Sequence, residues 1–274
     1  MKIAANALSL GMILTFSQTL NAQTTKEEVL SDLNRTGGVY YAYPVVESEN
    51  TPAPKEYEPF YISHYGRHGS RYLIGNRDYE SMQELMAKAR EAGALTDFGL
   101  SVAARIDSIM PEAKGRGGDL SPLGRRQHRG IAERMYRAYP QVFGKGCGDI
   151  SARSTTVVRC VLSMDAFCER LKELNPSLTI DRESSGRYMN YLNYHSDDHY
   201  LQTIDGPRWK EQYRKFKAGH TNPERMIKSI FSDPGFVELN VNPEEFMWGM
   251  YWLASDMQDM ETRISFYDAF TPDE

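Results

Sequence analysis

The stretch "YISHYGRHGSRYL", Tyr61 to Leu73, places two arginines, two histidines and two glycines directly after an apolar run. Phe60 to Ser63, "FYIS", is short, apolar and aromatic, and it reads as a buried strand. A loop at the carboxyl end of a buried parallel strand is a common ligand position in α/β proteins. The stretch therefore predicts both a fold class and a site, with the site in the loop Arg67-His68-Gly69-Ser70-Arg71.

The elements around it agree with an α/β reading. Asp78 to Ala92 carries Tyr79, Met82, Leu85, Met86 and Ala89 on one helical face, and Gly93 stops it. A second helix is expected from Thr96 to Met110. Ser121 and Pro122 then open a third, "SPLGRRQHRGIAERMYRAYP", as N-cap and first helical residue. Asp149 to Arg153, "DISAR", reads as a second strand, followed by a helix from about Thr156 to Leu174. Strand, helices, strand and helix in that order predict a parallel-rich sheet flanked by helices. From Arg182 to Met260 the chain reads as a mainly helical insert or cap, with helix starts at Asn222-Pro223-Glu224 and Asn242-Pro243-Glu244. The expected domain order is a signal segment over 1–22, the first part of an α/β core over 23–181, the insert over 182–260, and a return to the core over 261–274.

The chain has 274 residues, a formal net charge of −5 and 41% hydrophobic residues. That describes a globular domain with a real core and argues against a nucleic-acid partner, which selects for a basic surface. "MKIAANALSLGMILTFSQTLNAQ" has a basic start, an apolar run and a small residue, Ala22, at the expected cut. This is the layout of a secretory signal and predicts export to the periplasm or medium. No later run is long enough to span a membrane. Cys147, Cys160 and Cys168 would allow one bridge with one thiol left over.

The loop has a specific chemistry. His68 is a nucleophile that works at neutral pH without a strong base. Arg67 and Arg71 flank it with guanidinium groups that bind phosphate through paired hydrogen bonds. Their field disfavours the imidazolium and keeps His68 able to attack. Gly69 removes a side chain where a phosphate must approach the backbone, and Ser70 offers one more donor. The reading is phosphoryl transfer to His68, with arginines in the place of a metal and no cofactor. A surface ion-pair cluster is the alternative. However, Arg-His-Gly-x-Arg fixes four positions, and chance places it in a chain of this length roughly once in a thousand.

"RHGSR" following "FYISHYG" resembles the signature of the histidine acid phosphatases, the branch of the histidine phosphatases that includes phytases. "LSPLGRRQ" is similar to that family's Leu-Thr-x-x-Gly-x-x-Gln helix, at Leu120, Ser121, Gly124 and Gln127. "ARSTTVVRCVLS" resembles its second arginine segment, which carries a further phosphate-binding role onto Arg159, with Ser163 four residues on. Arg153 is a weaker candidate, a phosphate ligand or a strand-end ion pair. "YISHYGRHGSRYL" and "GHTNPERMIKSIFSDPGF" look most like bacterial multiple inositol polyphosphate phosphatases. The resemblance implies a metal-independent phosphomonoesterase acting on small phosphate esters, inositol polyphosphates among them.

One departure stands out. The family takes its proton donor from a His-Asp or His-Ala-Glu element toward the C-terminus. None of the six histidines here is followed by Asp or by Ala-Glu. The cluster "YHSDDHY" around His195 and His199 stands too early in the chain and reads as insert surface. The closing "TPDE" has the form of a helix start, with Thr271 as cap and Glu274 three residues on. The expectation is a chain that lacks the acid and the C-terminal part of the core. The alternative function is then an inactive or weakly active phosphate-binding fragment.

Overall fold

The computed structural model describes residues 25–45, 50–144, 149–192, 207–272 and 274. The expected signal segment, Cys147 and the His195 to His199 cluster lie outside them. Helices dominate. α1 (Thr25–Ser31) leads into a 3-10 turn over Leu33–Tyr40. α2 (Arg77–Glu91) stops at Gly93, whose φ of +67° is left-handed backbone that favours glycine. α3 (Asp97–Ala113) is capped by the Thr96 side chain, which accepts from the Gly99 N–H. It runs through Pro111, past the expected end at Met110. A proline in the last turn removes only one of the helix's hydrogen bonds.

α4 (Pro122–Ala138) begins as its sequence predicts, with the Ser121 side chain accepting from the Gly124 N–H. β1 (Ile150–Ser154), α5 (Val158–Leu174) and β2 (Ile180–Ser184) form one parallel crossover unit, with Ile150 opposite Ile180 and Ser154 opposite Ser184. α6 (Pro207–His220), α7 (Glu224–Ile230), α8 (Pro234–Asn240) and α9 (Pro243–Asp256) complete the helices used below. Asn242 caps α9 by accepting from the backbone of Glu244 and Glu245.

Two hydrophobic cores result. The larger joins α2, α3, α7 and α9 through Tyr79, Met86, Ile106, Met226, Ile230, Met250 and Phe266, all essentially buried. The smaller lies under the crossover unit and gathers Ala132, Phe143, Leu171 and Leu178. α4 and α5 pack along each other beside it. The chain between residues 67 and 73 runs from one region to the other, so the arginine loop lies at their junction.

Two expectations are corrected. The sheet among the described residues has two strands, β1 and β2, rather than a broad parallel layer. The fold is mostly helical and remains compatible with an α/β plan. Phe60 to Ser63 is not a strand. Its backbone pairs with no strand among the described residues, and Phe60 and Tyr61 are 92% and 73% exposed. An apolar run becomes a strand only where a neighbouring strand meets its N–H and C=O groups. Ile62 alone turns inward, against the smaller core.

The 3-10 turn over Leu33–Tyr40 packs against the larger core. Tyr40 is buried in the larger core and packs on Trp252, with ring centroids 5.8 Å apart. Tyr251 donates to the Thr36 carbonyl at 2.9 Å. Cys160 and Cys168 are both free thiols on α5.

Candidate functional site

The loop is held by backbone contacts too close for side chains. A Cβ on Gly69 would stand 2.4 Å from the Gly124 carbonyl oxygen, and one on Gly124 would stand 2.2 Å from the Ser70 carbonyl oxygen. The two glycines let the loop lie against the first turn of α4. The helix beneath is thus reason enough for a glycine at 69.

Gln127, one turn into α4, fastens the loop from below. Its Oε1 accepts from the Ser70 N–H and its Nε2 donates to Ser70 Oγ, both at 2.8 Å. Ser121 N–H donates to the Ser70 carbonyl at 2.9 Å. From α5, Ser163 Oγ accepts from the Gly69 N–H at 3.1 Å while donating to the Arg159 carbonyl at 2.8 Å. His128 is buried, and its Nε2 lies 3.1 Å from the Arg67 carbonyl. On the far side, the Leu73 N–H donates to the Tyr79 hydroxyl at 2.7 Å, and that hydroxyl donates to Asp256. Two helices with the carbonyl and amide groups they meet thus orient one short loop.

His68 sits half-buried in the wall of a cleft of about 450 Å³. Its Nδ1 lies 2.8 Å from the Gly69 carbonyl. A carbonyl can only accept, so Nδ1 carries the proton and Nε2 keeps its lone pair. Burial first, and then the charges of Arg67, Arg159 and Arg71, lower the pKa of the ring to about 4, against the raising effect of the Gly69 hydrogen bond. Burial, more than the arginine field, keeps the His68 ring neutral at pH 7.

The arginines differ in how they are held. Arg67 is exposed and donates to the Val39 carbonyl at 3.0 Å. Arg71 donates to the Tyr40 hydroxyl at 3.1 Å and the Tyr72 carbonyl at 2.7 Å, with its guanidinium 4.7 Å from the Tyr40 ring centre. Its Nε is buried without a partner, and so is Nε of Arg159. Arg159 reaches from α5, ninety-one positions after His68 (159 − 68), to where its charge acts on the His68 ring. Buried guanidinium donors left unpaired are costly, and an anion is their natural partner.

Arg153 stands apart from these groups. It pairs with Asp181 at 2.9 Å and Glu183 at 3.4 Å on the neighbouring strand, and lies over the Tyr188 ring. Ser70 faces the cleft, but its hydroxyl oxygen already accepts from Gln127.

Sequence reasoning missed two parts of the wall. Val39, Tyr40, Tyr41, Tyr43 and Pro44 form one side of the cleft. The aromatic density of "VYYAYP" was the available signal. Asp259 forms another part and is 3% exposed. Burial raises its pKa to about 7, against the lowering influence of a Ser70 hydrogen bond and of Arg71 and Arg67. An aspartate just after a helix carries no sequence signal for this position. Among the described residues, no group of three or more His, Cys, Asp or Glu side chains could hold a metal ion, and no helix is long and apolar enough to cross a membrane.

No protein-family model matches the chain, and no curated protein matches it. Among solved structures it is similar to the Bifidobacterium longum multiple inositol polyphosphate phosphatase, crystallised with inositol hexasulfate. The TM-score is 0.58 at 17% identity. The match covers 86% of this chain and 66% of that one. The likeness extends to the fold alone, and the chain spans about two thirds of that neighbour's length.

Proposed function

We propose that the chain is a phosphomonoesterase that works through a phosphohistidine. His68 Nε2 attacks phosphorus, the P–N bond forms as the ester P–O bond breaks, and the leaving oxygen takes up a proton. Water then releases phosphate from the histidine. Arg67, Arg71 and Arg159 bind the non-bridging oxygens and neutralise charge that grows in the transition state. The observation that carries this reading is a neutral His68 ring with Nε2 unprotonated, set among three arginines of which two keep a buried, unpartnered Nε. No metal enters the scheme, so a chelator should leave the rate unchanged.

The substrate class proposed is inositol polyphosphates such as phytate. Two things support it: the resemblance of "YISHYGRHGSRYL" to that subgroup and the shared fold of a neighbour that binds inositol hexasulfate. Export by the N-terminal segment is part of the same proposal. The decisive experiment is phosphate release from phytate by the chain and by His68→Ala. The variant is expected to lose all measurable turnover, and turnover that survived the substitution would end the phosphohistidine reading.

A second reading, phosphate binding with weak turnover, is favoured by the lack of a His-Asp or His-Ala-Glu element. It predicts that aryl phosphates, whose leaving groups need little protonation, react while phytate does not.

A further inference from the structure

The cleft holds a carboxyl group where an anion site should contain only donors. Asp259 is 3% exposed and lines the same wall as His68, Arg67 and Arg71. It forms no ion pair within 4.0 Å among the described residues, although both arginines of the loop act on it electrostatically. The Ser70 side chain favours its charged form. Ser70 Oγ accepts from Gln127 Nε2, which leaves the serine proton to point at the carboxyl.

A second buried carboxyl, Asp256, lies one turn earlier, fully buried with Oδ1 unpartnered, and the charge of Asp259 helps to raise its pKa. Tyr267, from the following 3-10 turn, feels the same charge. The other histidines of the cleft wall are His64 and His128, both depressed by burial. The groups facing Asp259 are therefore two cations, one carboxyl, one phenol and one hydroxyl.

A dianion brought beside an ionised carboxylate in a half-closed cleft meets a like charge at low effective dielectric. We propose that Asp259 is a proton-bearing member of the anion site: it takes a proton from solvent as a phosphate group binds and presents a neutral O–H donor beside the arginines. No covalent bond changes, and the one proton taken up ends on a carboxyl oxygen of Asp259. This rests on the phosphate-site reading above and adds to it the linkage of binding to pH.

The sign follows from the chemistry. The raised pKa of Asp259, about 7 in the empty cleft, leaves it protonated below neutrality and ionised above. An anion that requires the protonated form binds with full affinity below pH 7 and loses about tenfold for each unit above it. A ligand with no proton of its own reports this cleanly, and inorganic sulfate stays a dianion across the whole range.

Sulfate affinity should be measured by calorimetry for the full chain and for Asp259→Asn between pH 5 and 8.5. The two proteins should agree within about twofold at pH 5. At pH 8.5 the asparagine variant should bind about thirtyfold more tightly, because an amide cannot ionise. The variant retains any proton that His68 gains on binding, so the difference between the curves belongs to position 259.

Parallel curves overturn the inference. A second measurement needs no substitution. At pH 7.5, binding enthalpies in buffers of different ionisation enthalpy should show uptake of about three quarters of a proton per sulfate. Zero uptake overturns the inference while leaving the anion site standing. Failure of both proteins to bind sulfate at any pH overturns the anion site and this inference together.

Discussion

The two halves of "YISHYGRHGSRYL" behave differently. Tyr61 to Gly66 is largely exposed, touches the rest of the molecule through Ile62, a stack of His64 on Phe167 and a hydrogen bond from the Tyr65 hydroxyl to the Leu192 carbonyl, and belongs to no strand. Arg67 to Leu73 is pinned by α4, α5, the Tyr79–Asp256 pair and Tyr40. Both halves are aromatic and histidine-containing, and they run consecutively. The difference lies in what each backbone amide finds. Amides that meet a fixed acceptor hold their residues in one geometry, which a nucleophile and its anion clamp require.

The largest test of this contrast is Gly69→Ala. The new methyl would collide with the backbone of Gly124, which cannot swing aside as a side chain could. A loss of about 3 kcal/mol in urea unfolding is expected, together with loss of phosphate release. A variant as stable as the parent would show that the loop is not seated on α4.

Gln127→Ala comes next. It removes both hydrogen bonds to Ser70 and leaves the Ser70 N–H without its partner, at a cost of about 1–3 kcal/mol. Turnover should fall more than stability does, because the loop loses its orientation before the fold fails. Equal rates in the variant and the parent would remove Gln127 from the positioning machinery.

The smallest effect belongs to the other half. Tyr61→Ala deletes a ring that is 73% exposed, and stability should stay within about 0.5 kcal/mol. A loss of several kcal/mol would mean that the ring is covered in solution, and the contrast between the halves would dissolve.

Much of the local structure was legible in the sequence. The Ser121-Pro122 start, the helix starts near Thr96 and Asn242 and the stop at Gly93 depend on residues within one turn, so pattern reading finds them. "DISAR" became β1 because a parallel partner, β2, lies across the crossover. "FYIS" has the better strand composition and did not become one, since strand formation depends on a neighbour and not on composition alone. The proposed nucleophile His68 and its two flanking arginines were legible for the same local reason, since one pentapeptide carries them all. Arg159 entered through resemblance to a family. Arg153 stands in a cross-strand ion pair, which only the pairing of β1 with β2 reveals.

The sequence by itself determined which groups could do chemistry and which helices would start where, because those properties are set by covalent neighbours. Tertiary structure alone decided that Tyr40 walls the cleft and covers Arg71, that Gln127 and Ser163 grip the loop, and that Asp259 stands among the arginines. Those contacts join positions 31 to 192 apart in the chain (71 − 40 and 259 − 67). Their geometry depends on how two hydrophobic cores close around one loop, and no local pattern encodes that closure.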